Sequence, residues 1–241
     1  PTNPNILLAA ASTGIWRSTD AGATWNPVYD AEWMYDVDFH PTDGSKAIAG
    51  SHAQGAFYST DAGLPWPRST SISAHRAEVA YAPSNPTTVY ATVSSGSSIR
   101  VWRSTNGGVT YTQQAASTIS TYEAYNNALW VNPTNANTIL YGGVYLYRST
   151  NAGGSRSQAF SDIHPDIHEF VTHPQFDGVN NKTVFVGTDG GLYRISDFAG
   201  GNANLFFYNG LGITQFYGAA ISPQSGRIMG GTQDNGTRLY T

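Results

Sequence analysis

One phrase, WRSTDAGATW from Trp16 to Trp25, returns along the chain in progressively altered form and constrains the fold more than any other feature. The later copies are YSTDAGLPW ending at Trp66, WRSTNGGVTY ending at Tyr111, YRSTNAGGS ending at Ser155, and a relic, YRISDFAGG, from Tyr193 to Gly201. Aligned on Asp20, Asp61, Asn106 and Asn151, the first four copies recur every 41 to 45 residues. A period of roughly 40 to 50 residues fits a blade of four short strands, whereas helical arrays of similar period need long stretches of 3.6-residue periodicity. No such stretch is present. Each repeat instead reads as an apolar strand A ending near a Pro, a strand B of small and β-branched residues, a strand C closing on Tyr/Trp-Arg-Ser-Thr, the turn, and a strand D. The expected fold is all-β: a β-propeller of four-stranded antiparallel blades, about five to six of them present.

The repeats fall at approximately 1–30, 31–72, 73–120, 121–162, 163–210 and 211–241. The first lacks strand A, and the sixth (TQFYGAAISP, RIMGGT, TRLYT) stops before its turn. The fifth supplies DIHEFVTHP, TVFVGT, GLYRIS and LFFYN. Joining the termini would duplicate strands B and C instead of completing a blade, and a propeller with unpaired strands leaves exposed edges. The expectation is therefore a single propeller domain over 1–241, incomplete at both ends and part of a larger ring, with further blades or domains in the parent protein.

Charge narrows the partners. Twelve basic residues against sixteen acidic give a net charge of −4, and the only lysines are Lys46 and Lys182. A surface that tracks phosphates needs clustered Lys and Arg, so nucleic acid is not an expected partner. The longest apolar run, Ile6 to Ala11, is too short to cross a bilayer, so membrane insertion is not expected either. With no cysteines there is no disulfide framework and no thiolate metal site.

In the turn, the carboxylate or amide oxygen can accept from N–H groups further along, Gly22, Gly63, Gly108 and Gly153 can take positive φ, and the aromatic that follows can bury a large ring between neighbouring blades. Asn replaces Asp at Asn106 and Asn151, which keeps the acceptor and discards the charge. That argues for a structural turn at Asp20, Asp61, Asn106 and Asn151, not for catalysis or calcium. These residues resemble the Asp-box, or BNR, repeat over nearly the whole chain. The resemblance implies a propeller, but its members range from sialidases and xyloglucanase-type glycoside hydrolases to sortilin and photosystem assembly factors, so it does not choose an activity. The later segments HPDIHEF, VFVGTDGGLYR and GGTQDNGT are most similar to secreted bacterial sortilin-like or glycoside-hydrolase-like propeller proteins, which implies a secreted or cell-surface location.

The chemistry is weighed on that frame. A sialidase site needs an arginine triad, and none is recognisable; Tyr193-Arg194-Ile195-Ser196 sits where other repeats have Tyr/Trp-Arg-Ser-Thr, and repeat position explains it better. Arg17, Arg103, Arg148 and Arg194 occupy that same strand C position, expected on the outer part of a blade or stacked on aromatics. A xyloglucanase-like enzyme needs two carboxylates on facing blades. Counted back from the Pro that ends each strand A, Asp36, Glu78 and Glu169 share one register, with Ala128 and Gly218 in the other copies and Asp38 facing the same way as Asp36. His164, Asp166 and His168 alternate, so that they would line one side of an extended strand and could hold zinc, although a fourth ligand cannot be read; no metal and no cofactor is assigned. Scaffold residues recur at the repeat period, and a site built once per molecule breaks it. The breaks nominate Asp166, His168, Asp189, Gln233 and Asp234 as the centre of a ligand site, with Trp33 and Tyr35 as sugar-stacking aromatics. The functional expectation is a module binding glycan or protein at the propeller mouth, with a glycoside hydrolase using the paired carboxylates as the alternative.

Overall fold

A computed structural model describes residues 3–115, 118–122, 125–200 and 215–240; LFFYN, expected as the outer strand of the fifth repeat, lies outside them. Among the described residues the secondary structure is all-β, without a helix. Sheet 1 comprises β1 (Leu7–Ala11), β2 (Gly14–Ser18) and β3 (Asn26–Tyr29), and sheet 2 comprises β4 (Met34–Phe39), β5 (Ala47–Ser51) and β6 (Ala56–Ser59). Sheet 3 contains β7 (Arg76–Tyr81), β8 (Val89–Ser95), β9 (Ser98–Ser104), β10 (Thr112–Gln113) and β11 (Ile119–Ser120). Sheet 4 runs β12 (Ala128–Val131), β13 (Ile139–Gly142), β14 (Leu146–Ser149), β15 (Ser157–Gln158). Sheet 5 is β16 (Ile167–Thr172), β17 (Val184–Thr188), β18 (Gly191–Ile195), and sheet 6 is β19 (Phe216–Ile221), β20 (Ile228–Thr232), β21 (Thr237–Tyr240). Every ladder within these sheets is antiparallel, and strands pair in sequence order except that β11 joins β9. The sheets are the blades of a β-propeller arc that does not close into a ring. Strands β4, β7, β12 and β16 pack on one another as its inner wall, the place expected for strand A.

Strand D is the weak part of the repeat. In sheet 2 the segment PWPRS was expected as the fourth strand, but only an isolated bridge, Phe57 to Arg68, forms there. Pro65 and Pro67 lack the N–H that a ladder requires, so pairing with β6 cannot propagate. In sheet 3 the fourth position is split: β10 pairs the outer end of β9 and β11 its inner end.

The core lies between blades. Middle strands are buried on both faces, and period-two alternation sends successive side chains to opposite neighbours. In β13, Ile139 and Tyr141 join Tyr90, Ile99 and Val101 of sheet 3, while Leu140 joins Ile167, Phe170 and Val186 of sheet 5. In β5, Ala47 and Ala49 pack with Ile15 of sheet 1, and Ile48 with Val79 and Val89 of sheet 3. Four such clusters fill the four interfaces from sheet 1 to sheet 5.

The recurrent turn locks each interface, through parts only partly foreseen. Its glycines do take positive φ, 94° at Gly22 and Gly63, 92° at Gly108 and 83° at Gly153. From the second copy onward the glycine seats on the preceding sheet: Gly63 against Leu8, Gly108 against Ile48, Gly153 against Val101. The aromatic follows the same logic. Trp66 and Tyr111 are buried in the interfaces of sheets 2 and 3, whereas Trp25 in the first copy is 37% exposed. The strand C arginines were expected on the outer part of a blade or stacked on aromatics; Arg17 Nε donates to Ala62 O, and Arg148 donates to Phe198 O and Gly200 O, each tying a blade to the turn of the next. The cation–π contacts fall to Arg76 over Tyr35 and Arg156 over Tyr147.

The buried acceptor of the turn is the serine. Ser18, Ser59, Ser104 and Ser149 are all buried, and each Oγ accepts from the glycine N–H four residues on, at 2.8 to 3.0 Å. Asp20, by contrast, is exposed and accepts from Thr24 Oγ1 and Thr24 N, which hold its carboxyl down at about 2. In the second copy Pro65 stands where Thr24 does and offers no N–H. Ser104→Ala should therefore cost about 1–3 kcal/mol by orphaning the buried Gly108 N–H, and Asp20→Asn should change little. Urea denaturation of both variants checks the ranking; a larger loss for Asp20→Asn would reverse it.

Candidate functional site

Two groups of polar side chains gather on the inner strands. The first lines a cavity of about 340 Å³ bounded by β4, β7, β12 and β16. Asp36 and Asp38 enter from β4, Glu78 from β7, Asn127 from just before β12, and His168 and Glu169 from β16. The register counted from the prolines holds: Asp36, Glu78 and Glu169 sit opposite Gly50, Thr92 and Gly187 on the adjacent strands. What the period-two reading missed is a register shift at the start of β4, between Met34 and Asp36, and one in β16, between Ile167 and Glu169. Each inserts an unpaired residue, Tyr35 or His168, and such bulges re-aim side chains at functional rims.

Burial, reinforced by crowding, makes Asp36, Asp38 and Glu78 weak acids. Asp36 is raised well above the carboxylate range by burial first, then by the charges of Glu78 and Asp38, although its Oδ2 accepts the Val79 N–H at 2.9 Å. Burial followed by the Glu169 charge lifts Asp38 to about 6, even though one edge of Asp38 opens to channel water. Glu78 rises to about 7 through burial, against the opposing pull of Arg76, whose Nη2 donates to it at 2.7 Å. Since unfolded carboxylates titrate near 4, the contribution of these groups to stability is fully present below about pH 4 and is lost as pH rises through their folded values. Asp36→Asn keeps an acceptor for Val79 and removes the charge. The variant should melt higher than the wild type near pH 8, with the gap closing toward pH 4; a lower melting point at pH 8 would show that the charge is compensated.

The second group crowns blades 4 and 5. Tyr125 donates to both oxygens of Asp189 at 2.8 and 2.9 Å, which pushes its hydroxyl up to about 12, and His168 Nε2 lies 2.7 Å from Asp189 Oδ1. Asn126 donates to Asp166 Oδ1. Of the residues expected at the centre, Asp166, His168 and Asp189 come together. Asp234 joins through its main-chain oxygen, which faces His164 Nε2 at 3.0 Å, while Gln233 O accepts only from Asn235 of its own loop, and Asn235 Nδ2 also donates to Asp189 O at 3.4 Å. The zinc arrangement does not form. Asp166 has φ 64°, β16 begins only at Ile167, and His164 turns to main-chain oxygens, so the three side chains do not line one face. Among the described residues no group of three His, Asp or Glu has the spacing to hold a metal. Trp33 and Tyr35 form a separate platform, stacked at 5.1 Å and 17° with His52 beside them and Arg76 4.3 Å above the Tyr35 ring.

No family model matches the sequence, and no curated protein is similar to it in sequence. Solved structures with the same fold include an ancestral GH74 enzyme (TM-score 0.72, 18% identity, 96% of this chain and 34% of that one). The GH74 enzyme of Niastella koreensis superposes over 100% of this chain and 42% of its own, at TM-score 0.74 and 18% identity. YCF48 bound to D1 peptide is more distant, at TM-score 0.52 and 11% identity over 86% of this chain and 64% of that one. The chain spans about a third to two fifths of the GH74 structures it resembles. At such identities the likeness establishes the fold.

Proposed function

We propose that the chain is a glycan-binding propeller array, a single domain of six Asp-box repeats, secreted or at the cell surface, that engages a polysaccharide across the mouth lined by its inner strands. The observation that carries this reading is the stacked Trp33–Tyr35 pair, with Trp33 46% exposed at the head of the strand that also delivers Asp36 and Asp38 to the channel. Exposed aromatic faces offer sugar rings an apolar surface, and adjoining carboxylates and amides take the hydroxyls. The GH74 likeness agrees with a glycan ligand and the peptide-bound YCF48 with a protein one; the platform beside acidic acceptors favours the glycan.

One observation favours hydrolysis as the second reading. Asp38 of β4 and Glu78 of β7 line one cavity and burial raises both above the carboxylate range, and a raised acid facing a second carboxylate is the equipment glycoside hydrolysis requires. Affinity electrophoresis through xyloglucan, cellulosic and chitin-derived polysaccharides, run beside reducing-end assays, tests both. Retardation without new reducing ends supports the binding module, turnover abolished by Glu78→Gln supports the hydrolase, and no retardation by any polysaccharide overturns the glycan reading.

A further inference from the structure

We infer that the channel between the inner strands is built for a cationic sugar, a glucosamine-type unit whose ammonium group enters among Asp36, Asp38, Glu78, Glu169 and the side-chain oxygen of Asn127. This deepens the glycan reading and rests on it. The channel's polar lining is almost entirely acceptor: four carboxylates and an amide oxygen, with His168 at the rim. The nearby guanidinium, Arg76, is not part of the lining: its Nη2 pairs with Glu78 and its plane lies over the Tyr35 ring.

Asn127 supplies an independent sign of a ligand. It is 2% exposed, its Nδ2 donates to Thr92 O, and its Oδ1, on a residue that lines the cavity, has no hydrogen-bond partner among the described residues. A buried acceptor left empty is costly, and a donor arriving from the channel relieves it. An ammonium brings three donors and no acceptor, the complement of such a lining. A bare metal ion is the wrong occupant, since it needs ligands converging at about 2–2.6 Å and no three acidic or imidazole side chains among the described residues are placed to do so. Hydrogen bonds from an amine reach about 3 Å and suit a wider ring. Burial, reinforced by mutual repulsion, weakens Asp36, Asp38 and Glu78, and an entering cation offsets both, so binding should expel protons from the carboxylates of β4 and β7. Strand β12 contributes Asn127 and apolar side chains to the same wall, and Tyr81 of β7 stays neutral because burial raises its hydroxyl.

Titration calorimetry with three tetramers of one linkage, cellotetraose and the fully N-acetylated and fully deacetylated chitotetraoses, near pH 6 in buffers of different ionisation enthalpy, tests this. The deacetylated tetramer should bind about tenfold more tightly than cellotetraose and release protons, and the advantage should shrink with salt. The double variant Asp38→Asn/Glu169→Gln, two carboxylates of the channel lining, should bring the affinity for the deacetylated tetramer down to that for cellotetraose; Asn127→Ala should reduce the advantage. Equal binding of the amine and neutral tetramers, or an advantage that survives the double variant, overturns the cationic-sugar inference and leaves the glycan reading intact. Failure of all three to bind a folded protein that xyloglucan still retards overturns the inference alone; absence of retardation by every polysaccharide removes the glycan reading and the inference with it.

Discussion

Gly50→Val should leave the arc unable to fold, or fold it with a loss of about 3 kcal/mol or more, a large share of the total stability of an ordinary domain. Gly50 lies in β5 opposite Asp36, where sheets 2 and 3 converge on the channel. A Cβ built there meets Ala77 O at 2.0 Å and Ala77 C at 2.8 Å. The obstacle is main chain in β7, which no rotamer change can clear, so the two sheets must separate and open the cluster containing Ile48, Ala77 and Val79. Gly142 meets the Ile167 side chain, with Cβ at 2.5 Å, between sheets 4 and 5. The repeat supplies its own control: Gly231 of β20 occupies the equivalent register opposite Gly218, with nothing within 4 Å of its Cβ position. Gly231→Ala should be nearly silent. Circular dichroism melts of the pair decide the matter, and a Gly50→Val protein that melts with the wild type would mean the inner strands do not pack as described.

Trp33→Ala should weaken binding of whichever polysaccharide the chain retains by about tenfold to a hundredfold, with its melting temperature little changed. The ring is half exposed and stacked on Tyr35 rather than inserted in an interface cluster, so its removal uncovers a face without opening a cavity. Tyr35→Ala should cost binding and stability together, because Arg76 rests on that ring and then contacts Glu78. Affinity measured by calorimetry beside a thermal melt separates the two. Undiminished binding by Trp33→Ala would move the ligand off this platform.

The period of the turn was enough to locate the strands and the inner register, because a four-stranded blade leaves little choice about where Asp36, Glu78 and Glu169 point. Features that depend on contacts between repeats were hidden. The shifts at Tyr35 and His168 add one unpaired residue each, which alternation cannot reveal, and the same kind of local break undid the expected row of His164, Asp166 and His168. Ser104 looked like one polar residue among many; its burial follows from seating Gly108 on Ile48 of another blade. Asn127 gives no signal in the sequence, because an amide before an apolar strand is unremarkable until the residue is found beside a cavity with its buried oxygen lacking a donor. The platform aromatics could be nominated because only the second repeat carries aromatics at both positions, although Tyr125 stands at the Trp33 position of the fourth repeat and Tyr217 at the Tyr35 position of the sixth.

The four interface clusters also carry a timetable for synthesis. They draw on residues 15–66, 48–111, 82–152 and 128–198 in turn, so each is complete only after the following blade has been made. During translation, at about 5–20 residues per second, every new sheet leaves the ribosome with one face already matched to its predecessor and the other bare for several seconds. The leading edge of the growing arc is thus always the vulnerable one, and a chaperone that shields a single sheet face at a time would suffice for the whole array.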